Sequence, residues 1–169
     1  MFGTNQKDVV VSVMKIQKIT SGGQTGADMG GLLAGESLGI PTGGFAAKGF
    51  RTELGPNQEL GTRFHLEDTG VFNYIHRTRL NVHRSDGTAI FGKLSETGSG
   101  MTRRFAHEFK KPCVVVSTIA WHVEPFREWL LENHIRILNI AGNRESKNIG
   151  IQTAVKSFLI LALEGWNND

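Results

Sequence analysis

The sequence predicts an α/β protein: a three-layer sandwich in which helices cover both faces of a mainly parallel sheet. Three observations lead there. Strand-like and helix-like runs alternate along most of the 169 residues, the order that builds βαβ units. The runs "CVVVS" at 113–117 and "IRILNI" at 135–140 are largely apolar without alternation, as strands covered on both faces require. The turns from strand to helix carry glycine with short hydroxyl or arginine residues, the composition expected where helix N-termini meet the carboxyl edge of such a sheet. Together these describe an open, Rossmann-like fold.

The length fits one domain with a single hydrophobic core. Residues 1–13, "MFGTNQKDVVVSV", precede a second methionine and are expected to form a flexible N-terminal extension, leaving one domain over 14–169. In order, "KIQKIT" at 15–20 reads as a strand, and "TGADMGGLLAGESL" at 25–38 as a helix whose Met29, Leu32, Leu33 and Ala34 face the sheet. "GIPTGGFAA" at 39–47 reads as a second strand, broken by Pro41 and two glycines. Residues 48–69 are polar, contain Gly49, Gly55, Pro56 and Gly61, and show no sustained period; a loop of that length in a compact domain is functional or mobile. "VFNYIHRTRLNV" at 71–82 fits a helix through Val71, Ile75, Thr78 and Val82, and alternation from Phe72 fits a strand as well. The rest is clearer: strand 87–92, loop 93–100, helix 101–111, strand 112–118, helix 124–133, strand 135–142, loop 143–148 and helix 149–165.

Hydrophobic residues make up 39% and charged residues 21% of the chain, a balance that supports a folded core and excludes a disordered one. A net charge of +3 is too small for a face that tracks a phosphate backbone, and no basic run is interleaved with stacking aromatics, so no nucleic-acid partner is expected. The arginines instead gather at Arg77, Arg79 and Arg84, then at Arg103 and Arg104, which points to a small anionic ligand. The single cysteine, Cys113, reads as a small apolar residue in a strand. The six histidines are scattered without metal-ligand spacing, so no metal site is expected. "VVVSVM" at 9–14 is too short to span a membrane and lacks a cleavage pattern, which predicts a cytoplasmic protein with no membrane partner. Helix 149–165 is apolar around most of its circumference: Ile151, Ala154, Val155 and Phe158 can cover the sheet, while Leu159, Ile160 and Leu161 also need shelter. A homodimer or homotetramer is therefore expected.

Four loops carry the chemistry. In "SGGQTGAD", Gly22 and Gly23 allow close backbone approach, while Ser21, Gln24 and Thr25 add polar groups around an oxyanion. Asp28 lies too far into the helix to be a simple cap. "ETGSGMT" at 96–102 brings Gly98, Ser99 and Thr102 to a second helix start, with Arg103 just inside. "AGNRES" brings Gly142, Asn143, Arg144 and Ser146 to a third. The fourth, "RSDG", holds Ser85 and Asp86, although the amino end of a strand would place them opposite the others. One glycine turn is often only a tight connection, but three on one sheet edge make an anion site. No G-x-S-x-G elbow and no G-x-x-x-x-G-K-[ST] loop occurs, which argues against a serine hydrolase and a P-loop NTPase.

With "SGGQTGAD", "KGFR" at 48–51, "RTRLNVHRSDGTAIF" at 77–91, "TGSGMT" at 97–102 and "AGNRES" at 141–146 in this order, the chain resembles the molybdenum cofactor carrier family. That family is a branch of the nucleotide-sensing and phosphoribohydrolase-like Rossmann superfamily. The resemblance runs from about Ile16 to Gly165, nearly the whole chain. It implies binding and protective carriage of the molybdenum cofactor (molybdopterin, a phosphorylated pterin dithiolene) without turnover, with a molybdoenzyme or cofactor-biosynthesis protein as partner. Lys48 and Arg77 join the loop residues above as expected ligand contacts, and Phe45, Phe50 or Phe91 as the slot for the flat ring. Two positions depart from the family pattern: Thr97, Gly98 and Ser99 stand for glycine, glycine and threonine, and Asn143 stands for a proline. The competing function is a nucleoside monophosphate phosphoribohydrolase, whose loop is followed by glutamate. Arginines occupy those positions here, with Glu96 and Asp86 as the remaining substitutes. A third is a sensor of a nucleotide derivative.

Overall fold

The computed structural model describes residues 15–95, 98–118 and 122–166; the expected extension at 1–13 lies outside the described residues, as do Glu96 and Thr97. The elements in chain order are β1 (Lys18–Ser21), α1 (Ala27–Leu38), β2 (Thr42–Ala46), a 3-10 turn (Lys48–Phe50), β3 (Arg51–Thr52), β4 (Gly55–Pro56), α2 (Glu59–Thr62), β5 (Leu66–Asp68), α3 (Tyr74–His83), β6 (Gly87–Phe91), α4 (Ser99–Glu108), β7 (Cys113–Val116), α5 (Val123–Glu132), β8 (Ile137–Gly142), a second 3-10 turn (Glu145–Lys147) and α6 (Ile151–Leu163). Six strands form one sheet in the order β5-β2-β1-β8-β6-β7, every pair parallel. Helices α1, α5 and α6 cover one face and α3 and α4 the other. This is the three-layer α/β sandwich, Rossmann-like, that the alternating runs predict.

The last strand sits in the middle. β8 pairs with β1 on one side, Ile19 against Leu138, and with β6 on the other, Ala89 against Ile140. Leu138 and Ile140 are fully buried, so its apolar composition follows from position. The run at 113–117 behaves otherwise: β7 is an edge strand, and Val115 is 46% exposed. Cys113 is half-buried there, and burial pushes its thiol above the usual range.

Glycine inside α1 costs helix propensity, and packing explains it. A Cβ on Gly31 would lie 2.7 Å from the Cβ of Ile140, and one on Gly30 would lie 2.6 Å from the Gln152 carbonyl oxygen of α6. The helix therefore approaches β8 and α6 more closely than any side chain permits. α6 is in turn flanked by α1 and α5. Leu159, expected to need a partner subunit, is fully buried within the chain, and Leu161 alone of that group is half exposed. Arg127 of α5 closes the end of α6, its Nε donating to the Ala162 carbonyl at 2.7 Å.

Two regions differ from expectation. Residues 48–69 are not one loop but the β3–β4 hairpin, α2 and the edge strand β5, each too short to show a period. Residues 71–82 resolve as helix from Tyr74, with the Asn73 side chain accepting from the Ile75 amide at 2.9 Å. Its buried positions are Asn81 and Val82, whereas Val71 and Ile75 are exposed. The phase is set by Asn81, whose amide both accepts from Phe45 N and donates to Phe45 O at 2.9 Å. That pair fixes α3 to β2.

Replacing Gly31 by alanine is expected to lower stability by about 1–3 kcal/mol, because α1 must lift from β8 despite its better propensity. Urea denaturation with an unchanged slope checks this.

Candidate functional site

The carboxyl edge of the sheet opens into a cleft of about 840 Å³ bounded by the β1–α1, β5–α3, β6–α4 and β8–α6 connections. Of the residues expected to meet a ligand, Gln24, Arg77, Gly98, Ser99 and Thr102 line it, together with Gly142, Asn143 and Arg144. The others are placed elsewhere, each for a local reason.

The loop "SGGQTGAD" holds an anion, and the anion is its own. Asp28 turns back so that Oδ2 accepts from the Gln24 amide at 3.1 Å and from Arg77 Nη1 at 3.2 Å, and the Gly22 amide also bonds to its carboxylate. Ser21 Oγ takes the Gly23 amide at 3.2 Å, Gln24 Oε1 takes that of Thr25 at 3.1 Å, and the Asn143 carbonyl takes that of Ala27 at 3.0 Å. These donors are satisfied inside the protein, so the loop is a filled nest. Burial raises the Asp28 carboxyl above its ordinary value, opposed by Arg77 and the two amides. Gly22 leaves room for this arrangement, since a Cβ there would overlap the Arg77 guanidinium. Ser21, Gly22, Gly23 and Thr25 thus support the cleft without lining it.

A second carboxylate, on Glu53 at the tip of the β3–β4 hairpin, ties two loops together. It accepts from Thr25 Oγ1, from Ser146 Oγ at 2.5 Å and from the Ser146 amide at 3.3 Å. The Glu53 amide donates to Gln24 Oε1 at 2.9 Å. The hydroxyls of Ser146 and Thr25 hold the Glu53 carboxyl below its usual range. Ser146, expected at the ligand, is spent on this clasp. A third carboxylate caps α6: Glu145 accepts from the amides of Gly150 at 2.5 Å and Gln152 at 3.0 Å.

Among the described residues α4 differs in having no carboxylate at its start; Ser95 serves instead, its Oγ accepting from Gly98 N at 3.2 Å and its carbonyl from Gly100 N at 2.7 Å. Ser99 Oγ accepts from Ser95 N at 2.8 Å and donates to Lys93 O at 3.2 Å, so it shapes the β6–α4 loop while the helix end faces the cleft. The positive end of that dipole lies beside the cationic lining residues Lys93, Arg144 and Lys147, and among the described residues Asp28 is the only carboxylate in the lining. Tyr74 lies under two arginines, with Arg144 Cζ at 5.2 Å and Arg77 Cζ at 5.5 Å from its ring. Phe72, Ile75, Leu94 and Met101 supply apolar wall.

Several expectations are corrected. Arg103 is exposed on α4, outside the cleft, because Ser99, Thr102, Phe105 and Ala106 take the inward face at helical spacing. Arg79 is engaged with Glu108 at 2.8 Å and lies over the Phe109 ring. Ser85 and Asp86 sit at the opposite, amino edge, where Asp86 Oδ2 accepts from the amides of Arg136 and Ile137. Lys48 is beside the mouth, its Nζ 5.0 Å over the Phe72 ring. Phe91 is buried against Phe158 and Phe50 packs with Leu60 and Phe64, so neither forms the ring slot. Asn143, in place of a proline, stiffens its loop by another route: its amide accepts from Lys93 N and donates to Lys93 O, both at 2.8 Å. Among the described residues no group of three or more His, Cys, Asp or Glu is placed to hold a metal ion. Lys93, Leu94, Tyr74 and Lys147 escaped the sequence reading, Tyr74 because the phase of α3 is set by Asn81 and Val82.

The sequence profile of the circularly permutated YpsA SLOG family matches residues 19–163. A crystal structure described as a "Putative molybdenum carrier protein" from Syntrophus aciditrophicus is 37% identical, with a TM-score of 0.81, over 88% of this chain and 95% of that one. Among curated proteins none matches.

Two ion pairs of different burial give an expected contrast. Asp28→Ala strands a guanidinium that is 12% exposed and is expected to cost about 3 kcal/mol, whereas Glu36→Ala, which frees the exposed Arg63, is expected to cost less than about 1 kcal/mol; chemical denaturation measures both. Because the Glu53 carboxyl is depressed, its contribution to stability is present above its unfolded value and is lost as pH falls through the folded one. Unfolding free energies between about pH 3 and 6 should fall less steeply on the acid side for Glu53→Gln than for the unaltered protein.

Proposed function

The chain belongs to the circularly permutated YpsA SLOG family, and from that premise we propose that it binds and carries the molybdenum cofactor, the phosphorylated pterin dithiolene, without turning it over. The carrying observation is the cleft itself: a helix start met by no carboxylate among the described residues, beside Lys93, Arg144 and Lys147, facing an apolar and aromatic wall. A phosphate needs the first and a flat ring the second. The likeness to a structure named as a molybdenum carrier supports the same ligand class.

The proposal that the ligand is not turned over is supported by the placement of two carboxylates. Hydrolysis of an N-glycosidic bond needs a carboxylate free to stabilise an oxocarbenium-like centre or activate water. Asp28 is committed to Arg77 and two amides, and Asp86 is at the far edge of the sheet; Glu96 lies outside the described residues. We also propose a cytoplasmic location and delivery to a molybdoenzyme or a cofactor-biosynthesis protein; no helix among the described residues is long and apolar enough to cross a membrane.

The test is anaerobic titration with released cofactor, beside a screen for free base from nucleoside monophosphates. Arg144→Ala is expected to weaken binding by about 1–3 kcal/mol through loss of a charge-assisted bond, and Arg103→Ala to leave it unchanged. Base release without cofactor binding overturns the carrier and establishes the hydrolase.

A further inference from the structure

Two buried hydrogen-bond donors on residues that line the cleft have no partner in the protein. Gln24 is 4% exposed, and its Nε2 has no hydrogen-bond partner in the protein. Its orientation is not free: Oε1 accepts from the amides of Thr25 at 3.1 Å and Glu53 at 2.9 Å, which turns the NH2 end toward the cleft. Beside it Arg77 spends Nη1 on Asp28, while its buried Nε is likewise without a partner. The two residues are anchored to one carboxylate through other atoms, Asp28 Oδ2 taking the Gln24 backbone amide and Arg77 Nη1. A buried donor left without an acceptor costs about 1–3 kcal/mol, and two at one point imply an acceptor supplied from the cleft.

We infer that Gln24 and Arg77 read the acceptor edge of a heterocyclic ring, a carbonyl oxygen or an unprotonated ring nitrogen, so that the ligand enters ring first and leaves its phosphate at the start of α4. This rests on the proposed function for the ring being a pterin, and not for its orientation. Charge decides which end goes where. At the floor the Arg77 cation is already paired with Asp28, so burying a dianion there would cost more than it returns. At the β6–α4 side the positive end of α4, held by the neutral Ser95, and Lys93 stand without a carboxylate among the described lining residues, where a phosphate is stabilised. The amides of Gln24, Ser146 and Gln152 at this edge are already satisfied by Asp28, Glu53 and Glu145. Gln24 is thus a specificity-determining residue: it favours rings with acceptors at the inner edge and rejects rings with donors there.

The experiment compares the neutral ring with its phosphate ester, using 6-hydroxymethylpterin and its monophosphate, and a purine ribonucleoside and its 5′-monophosphate, by calorimetry. Gln24→Glu keeps the acceptor that Thr25 and Glu53 use and replaces only the donor. It is expected to weaken the unphosphorylated and the phosphorylated pterin alike, by roughly tenfold, measured on protein whose cooperative melting shows that it is folded. Arg77→Lys, which keeps the charge for Asp28 and removes Nε–H, should give the same pattern, while Lys93→Ala should weaken the ester alone. If Gln24→Glu weakens only the ester, or inorganic phosphate, the floor holds the phosphate and the inference is overturned. Loss of purine binding on Gln24→Glu, with no pterin bound by the unaltered protein, supports the orientation and refutes the pterin. Binding of inorganic phosphate with neither ring overturns the inference.

Discussion

The Asp28 carboxylate is the constraint on which the site depends. It lies in the first turn of α1, at the point where the positive end of the helix and the amides of the preceding loop converge, and it draws the Gly22 and Gln24 amides and Arg77 onto one group. Folding the loop around an internal anion fixes three things together: the path of residues 21–26, the rotamer of Arg77 across from α3, and the direction of the Gln24 amide. Burial disfavours the ionised form and the guanidinium favours it. The pair is therefore held by geometry on both sides, and removal of either member leaves the other stranded.

The same device recurs along the edge. A parallel sheet delivers several helix N-termini to one rim, and unoccupied they would compete for any anion. Here Glu145 closes α6, Asp28 closes the β1–α1 loop, and Glu53 clasps Thr25 to Ser146. Among the described residues the start of α4 is met by no carboxylate, only by the neutral Ser95. A rim of near-equivalent anion sites becomes a cleft with a polarity, cationic toward α4 and charge-balanced toward Arg77. A ligand with a phosphate at one end and a neutral ring at the other fits that polarity in one direction.

The fold was legible because its signal is long-range and redundant: apolar strand runs, helical stripes and glycine turns agree from Lys18 to Leu163. The cleft was legible in outline, since Gln24, Arg77, Ser99 and Arg144 do meet there. The roles within it were not, because a motif gives the residue types at a turn and not which donors are already taken. "SGGQTGAD" reads as an anion-binding loop and is one, but its anion is four residues on from Gln24. Arg103 misled for a related reason: proximity in sequence to Thr102 is a rotation of about 100° on the helix, enough to turn it outward. Glu53 was missed because it hangs from two strands of two residues each, below any periodic signal, and Tyr74 because the phase of α3 is set by Asn81 and Val82 rather than by Val71 and Ile75.

The permuted order of the chain explains why these loops must interlock. β8 and α6 are last in sequence but central in space; placed first, they would leave the strands running outward in order, β1, β2 and β5 to one side and β6 and β7 to the other. As the chain stands, the cleft is completed only when its final unit inserts between β1 and β6. The bonds that then form are long in sequence and local in space: Ala27 N to the Asn143 carbonyl at 3.0 Å, Glu145 N to Thr25 Oγ1 at 3.3 Å, and Lys93 N to Asn143 Oδ1 at 2.8 Å. Each carries a large loop-closure cost, met by the apolar contact of α1 with α6 and of β8 with both neighbours. The ligand-facing rim is thereby tied to the core: the same docking that buries Leu138 and Ile140 brings Arg144 opposite Gly98 and Ser99, so a chain that has not placed its last strand has no cleft with which to bind.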